Sequence, residues 1–181
     1  MNKEDNQYMK VLSKKPEHKT HLAGNRLVSK SHGRIAFRGM IDVLEAEVLE
    51  AQVLASGLGE EWYCTCLGEV LDYLRAIMIA EVKSEPFPSL KLFGLALDEI
   101  HQQSHDVKAA FGLARHPLPD QSMGPLVARI NYLRARVREG ELLAVRIFGR
   151  LTGRRQDLIT AMNRLSSALW WLCCKKIAAT P

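Results

Sequence analysis

The sequence has no cysteine pair at zinc spacing. Its four cysteines fall as Cys64-Thr-Cys66 and Cys173-Cys174, with no second half-site at finger distance, so a zinc finger or ribbon is excluded. They read as reduced, mostly buried thiols of a cytosolic protein. No apolar run approaches the roughly 20 residues that cross a bilayer, which excludes a membrane-spanning helix. Residues 1–20 are polar and basic with no apolar h-region, so no secretory signal is read there. No segment alternates apolar and polar residues between hairpin turns, which leaves no case for an extensive sheet. There is no internal repeat, no low-complexity tract and no recognisable nucleophilic triad.

Acidic excess is also lacking: the formal charge is +5. A basic balance suits nucleic acid, membrane surfaces or phosphate-rich small molecules. Much of the charge comes from a lysine-rich leader and an arginine-rich fourth helix. No zinc-finger or RNA-binding signature accompanies it. A polyphosphate ligand is therefore a stronger reading than nucleic acid.

What is present is a helical chain. With 181 residues and 47% hydrophobic content, one domain with a sizeable core is expected. Residues 1–16 read as a mobile basic leader, and 17–181 as the folded domain. Lys19 to Arg34 is loop-like. Helix one is predicted over Ile35 to Ala55, burying Phe37, Ile41, Leu44, Val48 and Ala51, and ended by Gly57 and Gly59. Helix two is predicted over Glu60 to Val82, with Trp62, Cys66, Val70, Tyr73 and Ile77 in line, and is broken by Pro86 and Pro88. Helix three covers Ser89 to Asp106, and a Pro- and Gly-punctuated loop runs from Val107 to Gly124. Two long helices joined by a short Gly-containing turn fill Pro125 to Ile177. The fold class is all-α, a five-helix up-and-down bundle.

Chemistry concentrates on the last two helices. Arg134, Arg138 and Glu141 stack on one stripe, beside the buried spacing of Leu126, Ile130, Leu133, Val137, Ala144 and Phe148. They read either as ion pairs on a solvated face or as a site for an anionic ligand. Asn163 shares a stripe with Ile159, Ser166, Trp170 and Cys173. A polar amide there bridges helices or meets a ligand. His101 and His105 lie one helical turn apart, with Asp98 a turn earlier. An exposed polar face is the stronger reading, and a metal site the weaker one. Trp170-Trp171 reads as core and interface.

These residues carry a resemblance. Arg134-Ala-Arg-Val-Arg138-Glu-Gly-Glu141 is similar to the Arg-x3-Arg-x2-Glu helix of the ATP:cob(I)alamin adenosyltransferases. Met162-Asn163-Arg164-Leu165-Ser166-Ser167 resembles that family's Leu-Asn-Arg-Leu-Ser-Asp helix. Gly39-Met40-Ile41-Asp42 resembles its Gly-Thr-Ile-Asp segment. The likeness runs in order from about Lys15 to Ile177 and is greatest to the ethanolamine-utilization branch, through Thr20-His21-Leu22 and Lys30 to Asp42. Two features are missing: that branch's His and Cys-Cys-x-x-Cys metal motif, which would precede Thr20, and the Gly-rich Thr-Gly-Asp phosphate loop of the other branch.

The resemblance implies transfer of the 5′-deoxyadenosyl group from ATP to reduced cobalamin, with Mg²⁺ sharing the phosphate charge. It implies ATP contacts from Thr20, Lys30, Arg134, Arg138, Glu141 and Asn163. Asp42 and Arg134 would pair and serve as the catalytic residues, Asp42 also shaping the corrinoid pocket. His116-Pro-Leu-Pro119 resembles the family's corrin-facing Phe-x-Leu-Pro loop, so His116 or Leu118 would face the corrin. No protein-held metal site is expected. The family forms trimers with sites between subunits. A cytoplasmic location, a flavoprotein reductase partner and a possible link to a bacterial microcompartment follow from the same likeness. The alternative is a non-catalytic corrinoid or nucleotide sensor, or a helical interaction protein, on the same scaffold.

Overall fold

The computed structural model describes residues 15–22, 26–149 and 155–179. All but Lys15 and Pro16 of the leader lie outside them. Among the described residues four long helices form the bundle: α1 (Gly33–Gly57), α2 (Glu61–Lys83), α5 (Gly124–Phe148) and α6 (Gln156–Ala178). Two short helices, α3 (Leu97–His105) and α4 (Val107–Phe111), join α2 to α5. No described helix is long and apolar enough to cross a membrane.

The apolar stripes set the packing. Phe37, Ile41, Leu44, Val48 and Ala51 of α1 are all buried, as are Leu126, Ile130, Leu133, Val137, Ala144 and Phe148 of α5. Helix α1 packs on α2 and α5, and α5 packs on α6. At one end Arg155 donates to the Ala80 carbonyl at 2.8 Å. At the other, Lys176 pairs with Glu60. Thus α2 and α6 run antiparallel and close the bundle. On α2, Cys66, Val70, Tyr73 and Ile77 are buried as expected, but Trp62 is 44% exposed and lies under the Lys175 ammonium.

The third stroke of the bundle differs from a single helix over Ser89 to Asp106. Its first half is a hairpin, β3 (Lys91–Leu92) against β4 (Leu95–Ala96). Phe93 and Gly94 turn it with positive φ, at 58° and 80°. Gly94 adopts that conformation freely. The Phe93 amide is held by the Glu69 carboxylate at 2.6 Å. That tertiary hydrogen bond helps offset the strain of a left-handed Phe. From Leu97 the chain climbs beside α6 in register: Asp98 meets Arg164, His101 meets Ser167, and Gln103 meets Trp171. The expected loop after Val107 contains α4 and a 3₁₀ turn, Gln121–Met123.

The segment before α1 is also more ordered than a loop. β1 (Lys19–His21) pairs antiparallel with β2 (Leu27–Ser29), Thr20 lying opposite Val28. His32 caps α1, its Nδ1 accepting from the Arg34 amide at 3.2 Å. Beneath this ribbon is the fully buried carboxylate of Glu81. Arg34 and Arg38, one turn apart on α1, each donate Nε to one of its oxygens. Arg38 also donates to the Leu22 carbonyl at 3.0 Å, which ties the ribbon to the bundle.

Candidate functional site

A pocket of about 310 Å³ opens between α3, α5 and α6. Its α5 wall carries Arg134, Arg138 and Glu141; its α6 wall carries Asn163, Ser166, Ser167 and Trp170. The stripe at i, i+4 and i+7 delivers the first three to one side. Gly140 lets α5 sit close, since a Cβ there would lie 2.7 Å from Met162 and 3.3 Å from Met40. Helix α3 supplies His101, Ser104 and His105, and the following loop supplies His116.

The polar groups are chained together. Asn163 donates Nδ2 to Glu141 Oε1 at 2.9 Å, and its Oδ1 accepts from Arg164 at 3.0 Å. Arg164 is itself fixed by Asp98 at 3.0 Å. Both ends of the amide are thereby satisfied, which sets its orientation. Glu141 keeps its second oxygen without a partner among the described residues. Arg134 donates to Asn131 at 3.1 Å and lies 5.1 Å above the Trp170 ring, a cation–π geometry. His116 stacks near the same ring at 6.3 Å and 24°. Arg138 has no hydrogen-bond or ion-pair partner among the described residues. Its charge, like that of Arg134, is not matched by a carboxylate among the described residues.

His101 and His105 meet edge to face at 4.6 Å, and His101 Nδ1 lies 3.0 Å from Ser167 Oγ. Burial lowers the His101 pKa, and the positive Arg164 and neighbouring His105 lower it further. Asp98 is turned to Arg164 instead of to these rings. Among the described residues no group of three His, Cys, Asp or Glu side chains is placed to hold a metal ion. The four cysteines are free, and burial pushes the Cys66, Cys173 and Cys174 thiols up to about 12. These three thiols are therefore poor thiolate nucleophiles at neutral pH.

Of the residues singled out in the sequence, Arg134, Arg138, Glu141, Asn163 and His116 come together here. Leu118 does not line the pocket and is 81% exposed. Thr20 and Lys30 lie on and just after the ribbon, and neither lines the pocket of its own chain. Asp42 is on the outer face of α1, near enough to Glu45 to help raise that carboxyl, after burial, the larger cause, and against the lowering effect of Arg75. It makes no ion pair with Arg134 within one chain. Trp170 was missed as a pocket residue. Its place on the Asn163 stripe was the available signal, but Trp171 beside it, buried in the core at 6% exposure, answers equally to an apolar reading.

The site is an arginine-bearing polar cleft in a helical bundle, with the charge to hold a small anionic ligand. The family of that description is found by comparison: the cobalamin adenosyltransferase family model matches residues 11–176, and the chain belongs to that family. It is 32% identical over 170 residues to the corrinoid adenosyltransferase EutT of Salmonella typhimurium, covering 93% of this chain and 62% of that one. It is 30% identical over 172 residues to EutT of Escherichia coli K12, covering 94% and 62%. The chain thus spans about three fifths of the length of these relatives. No solved structure matches it significantly.

Proposed function

We propose that the chain transfers the 5′-deoxyadenosyl group of ATP to the cobalt of a reduced corrinoid, releasing triphosphate. The observation that carries this reading is the free Arg138 beside the Glu141–Asn163–Arg164 chain, in a member of this family. The nucleophile is the substrate's cobalt(I). Its electron pair forms the cobalt–C5′ bond as the C5′–oxygen bond breaks, and the departing electrons stay on the triphosphate. No side-chain nucleophile is needed, in keeping with the raised thiols. The protein's part is to align the two reactants and offset the leaving charge.

Arg138 and Arg134 are the cations for the nucleotide, because a guanidinium fork grips phosphate oxygens in pairs and stays charged. Asn163 steers Glu141, whose open oxygen suits a ribose hydroxyl or Mg²⁺. A Mg²⁺ carried by the triphosphate needs only one or two protein carboxylates, and Glu141 is the one lining the pocket. The Trp170–His116 pair offers a flat surface for the corrin, with His116 rather than Leu118 facing it. Thr20, Lys30 and Asp42 stand apart from the pocket of their own chain. In this reading they complete the pocket of a second copy, in a trimer with sites between subunits. We place the chain in the cytoplasm, supplied by a flavoprotein reductase; a microcompartment setting belongs to the same reading through its EutT relatives.

The test is an anaerobic assay with ATP and chemically reduced cobalamin, following the cobalt–carbon chromophore. Conversion is expected. Binding of both substrates without conversion would identify a sensor, and no binding would reduce the chain to a scaffold.

A further inference from the structure

The polar chain that crosses the α3–α5–α6 pocket begins outside it, at Asp98 on α3. We infer that Asp98 is a positioning residue for the nucleotide, acting through Arg164 to keep Glu141 free. The role rests on the proposed function, in which the open oxygen of Glu141 meets the ribose or the Mg²⁺ of ATP.

Asp98 does not line the pocket, and its side chain is 88% exposed. Its Oδ1 accepts from Arg164 Nε at 3.0 Å. Arg164 Nη1 donates to Asn163 Oδ1 at 3.0 Å, and Asn163 Nδ2 donates to Glu141 Oε1 at 2.9 Å. The amide is thus wedged between a guanidinium and a carboxylate, its oxygen toward one and its nitrogen toward the other. Among the described residues Asp98 is the one ion-pair partner of Arg164. Helix α3 is kept in register for this contact one turn on, where His101 meets Ser167 on α6 at 3.0 Å.

The arrangement has a competitor built into it. Glu141 is the carboxylate that lines the pocket, and only the Asn163 side chain separates it from Arg164. A guanidinium grips a carboxylate through two parallel hydrogen bonds, where the amide offers one. With no counter-charge on α3, Arg164 is drawn past the amide to Glu141. That contact would neutralise Glu141 and occupy its open oxygen. Asp98 holds the guanidinium from the opposite side and so leaves the oxygen to the ligand.

The sign of the effect separates this role from a general field. An acidic side chain near a triphosphate site repels the ligand, so on bulk electrostatics alone its removal tightens binding. Positioning requires the reverse. A strictly structural role is also distinguishable, because an ion pair with so exposed a partner adds little to stability.

The experiment titrates ATP with Mg²⁺ into the full chain by calorimetry, without corrinoid. Asp98→Asn should weaken binding about tenfold with an unmoved melting curve, the loss of one charge-assisted contact to the ligand. In the adenosylation assay KM for ATP should rise in step, while KM for the corrinoid stays. Asp98→Glu can still reach the guanidinium and should restore binding. In an Arg164→Gln background Asp98→Asn should have no further effect, since the two act through one chain of contacts. Unchanged or tighter binding by folded Asp98→Asn would overturn the proposal, as would an equal loss in the Arg164→Gln background. Wild type is titrated first: if it neither binds nor converts ATP, the proposed function itself falls, and this role with it.

Discussion

Two openings of this protein are built in opposite ways. In the α3–α5–α6 pocket Glu141, Asn163, Arg164 and Asp98 satisfy one another across three helices, while Arg134 and Arg138 have no carboxylate partner among the described residues. At the ribbon end the polar partners are hidden behind the wall: buried Glu81 holds two arginines, and Leu22, Ile147 and Phe148 face the space. The first arrangement fixes directions, as aligning two reactants requires. The second sets arginines beside an apolar floor. Helical bundles favour both, because facing helices bring distant residues together while leaving their ends open.

The sharpest way to break the comparison is Glu81→Ala. Removing one partner of a buried cluster leaves charge uncompensated and costs about 3–5 kcal/mol. Denaturant unfolding should show that loss. Glu81→Leu combined with Arg34→Leu and Arg38→Met should recover much of it. A loss under 1 kcal/mol would mean the carboxylate is not the anchor of this end.

Arg138→Ala in the other opening should behave in reverse. Its guanidinium touches no described partner, so stability should change by no more than about 0.5 kcal/mol. In the proposed reaction, kcat/KM for ATP should fall by about tenfold to a hundredfold, the worth of a charge-assisted contact of about 1.5–3 kcal/mol. Unchanged kinetics in a folded variant would return Arg138 to the solvated face.

Asp42→Asn and Arg134→Ala test whether the pocket is completed by a second copy. Each should impair adenosylation, Asp42→Asn while sparing nucleotide binding, and the double variant should lose less than the two single losses together. Additive losses would remove the pairing across the boundary.

The smallest effect is in acid. Burial would raise the Asp157 carboxyl, but hydrogen bonds from Arg155 and the Phe87 amide outweigh it and hold the group below its ordinary 3.8. A depressed carboxylate contributes stability above its unfolded value, and that contribution is lost as pH falls through the folded one. Wild type should therefore lose stability below about pH 4, and Asp157→Asn should lose less there while starting lower at neutral pH. Parallel pH–stability curves would dismiss the Arg155–Asp157 clasp. His101 points the same way at higher pH. Its lowered pKa favours the neutral ring, so its contribution is intact above about 6.5 and declines as pH falls toward the folded value.

The four long helices were legible because each carries an apolar stripe at helical spacing and definite ends, such as Gly59 with φ of 72° after α1. The residues of α5 and α6 that meet in the pocket were legible for the same reason: spacing alone puts Arg134, Arg138 and Glu141 on one side of a helix. Spacing alone favoured a solvated, ion-paired face for these residues, and their likeness to a family turned the reading to a ligand site. Periodicity could not tell which helix each stripe would face. Tertiary contact decided that Asn163 is held between Glu141 and Arg164, that Asp98 serves Arg164 and not the two histidines, and that Trp170 opens to the pocket while Trp171 enters the core. It also decided the hairpin at 91–96, where Glu69 on α2 captures the Phe93 amide, and the pairing of 19–21 with 27–29, tied down by Arg38. Local pattern sets a helix because its hydrogen bonds close within four residues. A two-residue strand, a buried carboxylate or a satisfied amide depends on partners tens of residues away, and only the folded chain supplies them.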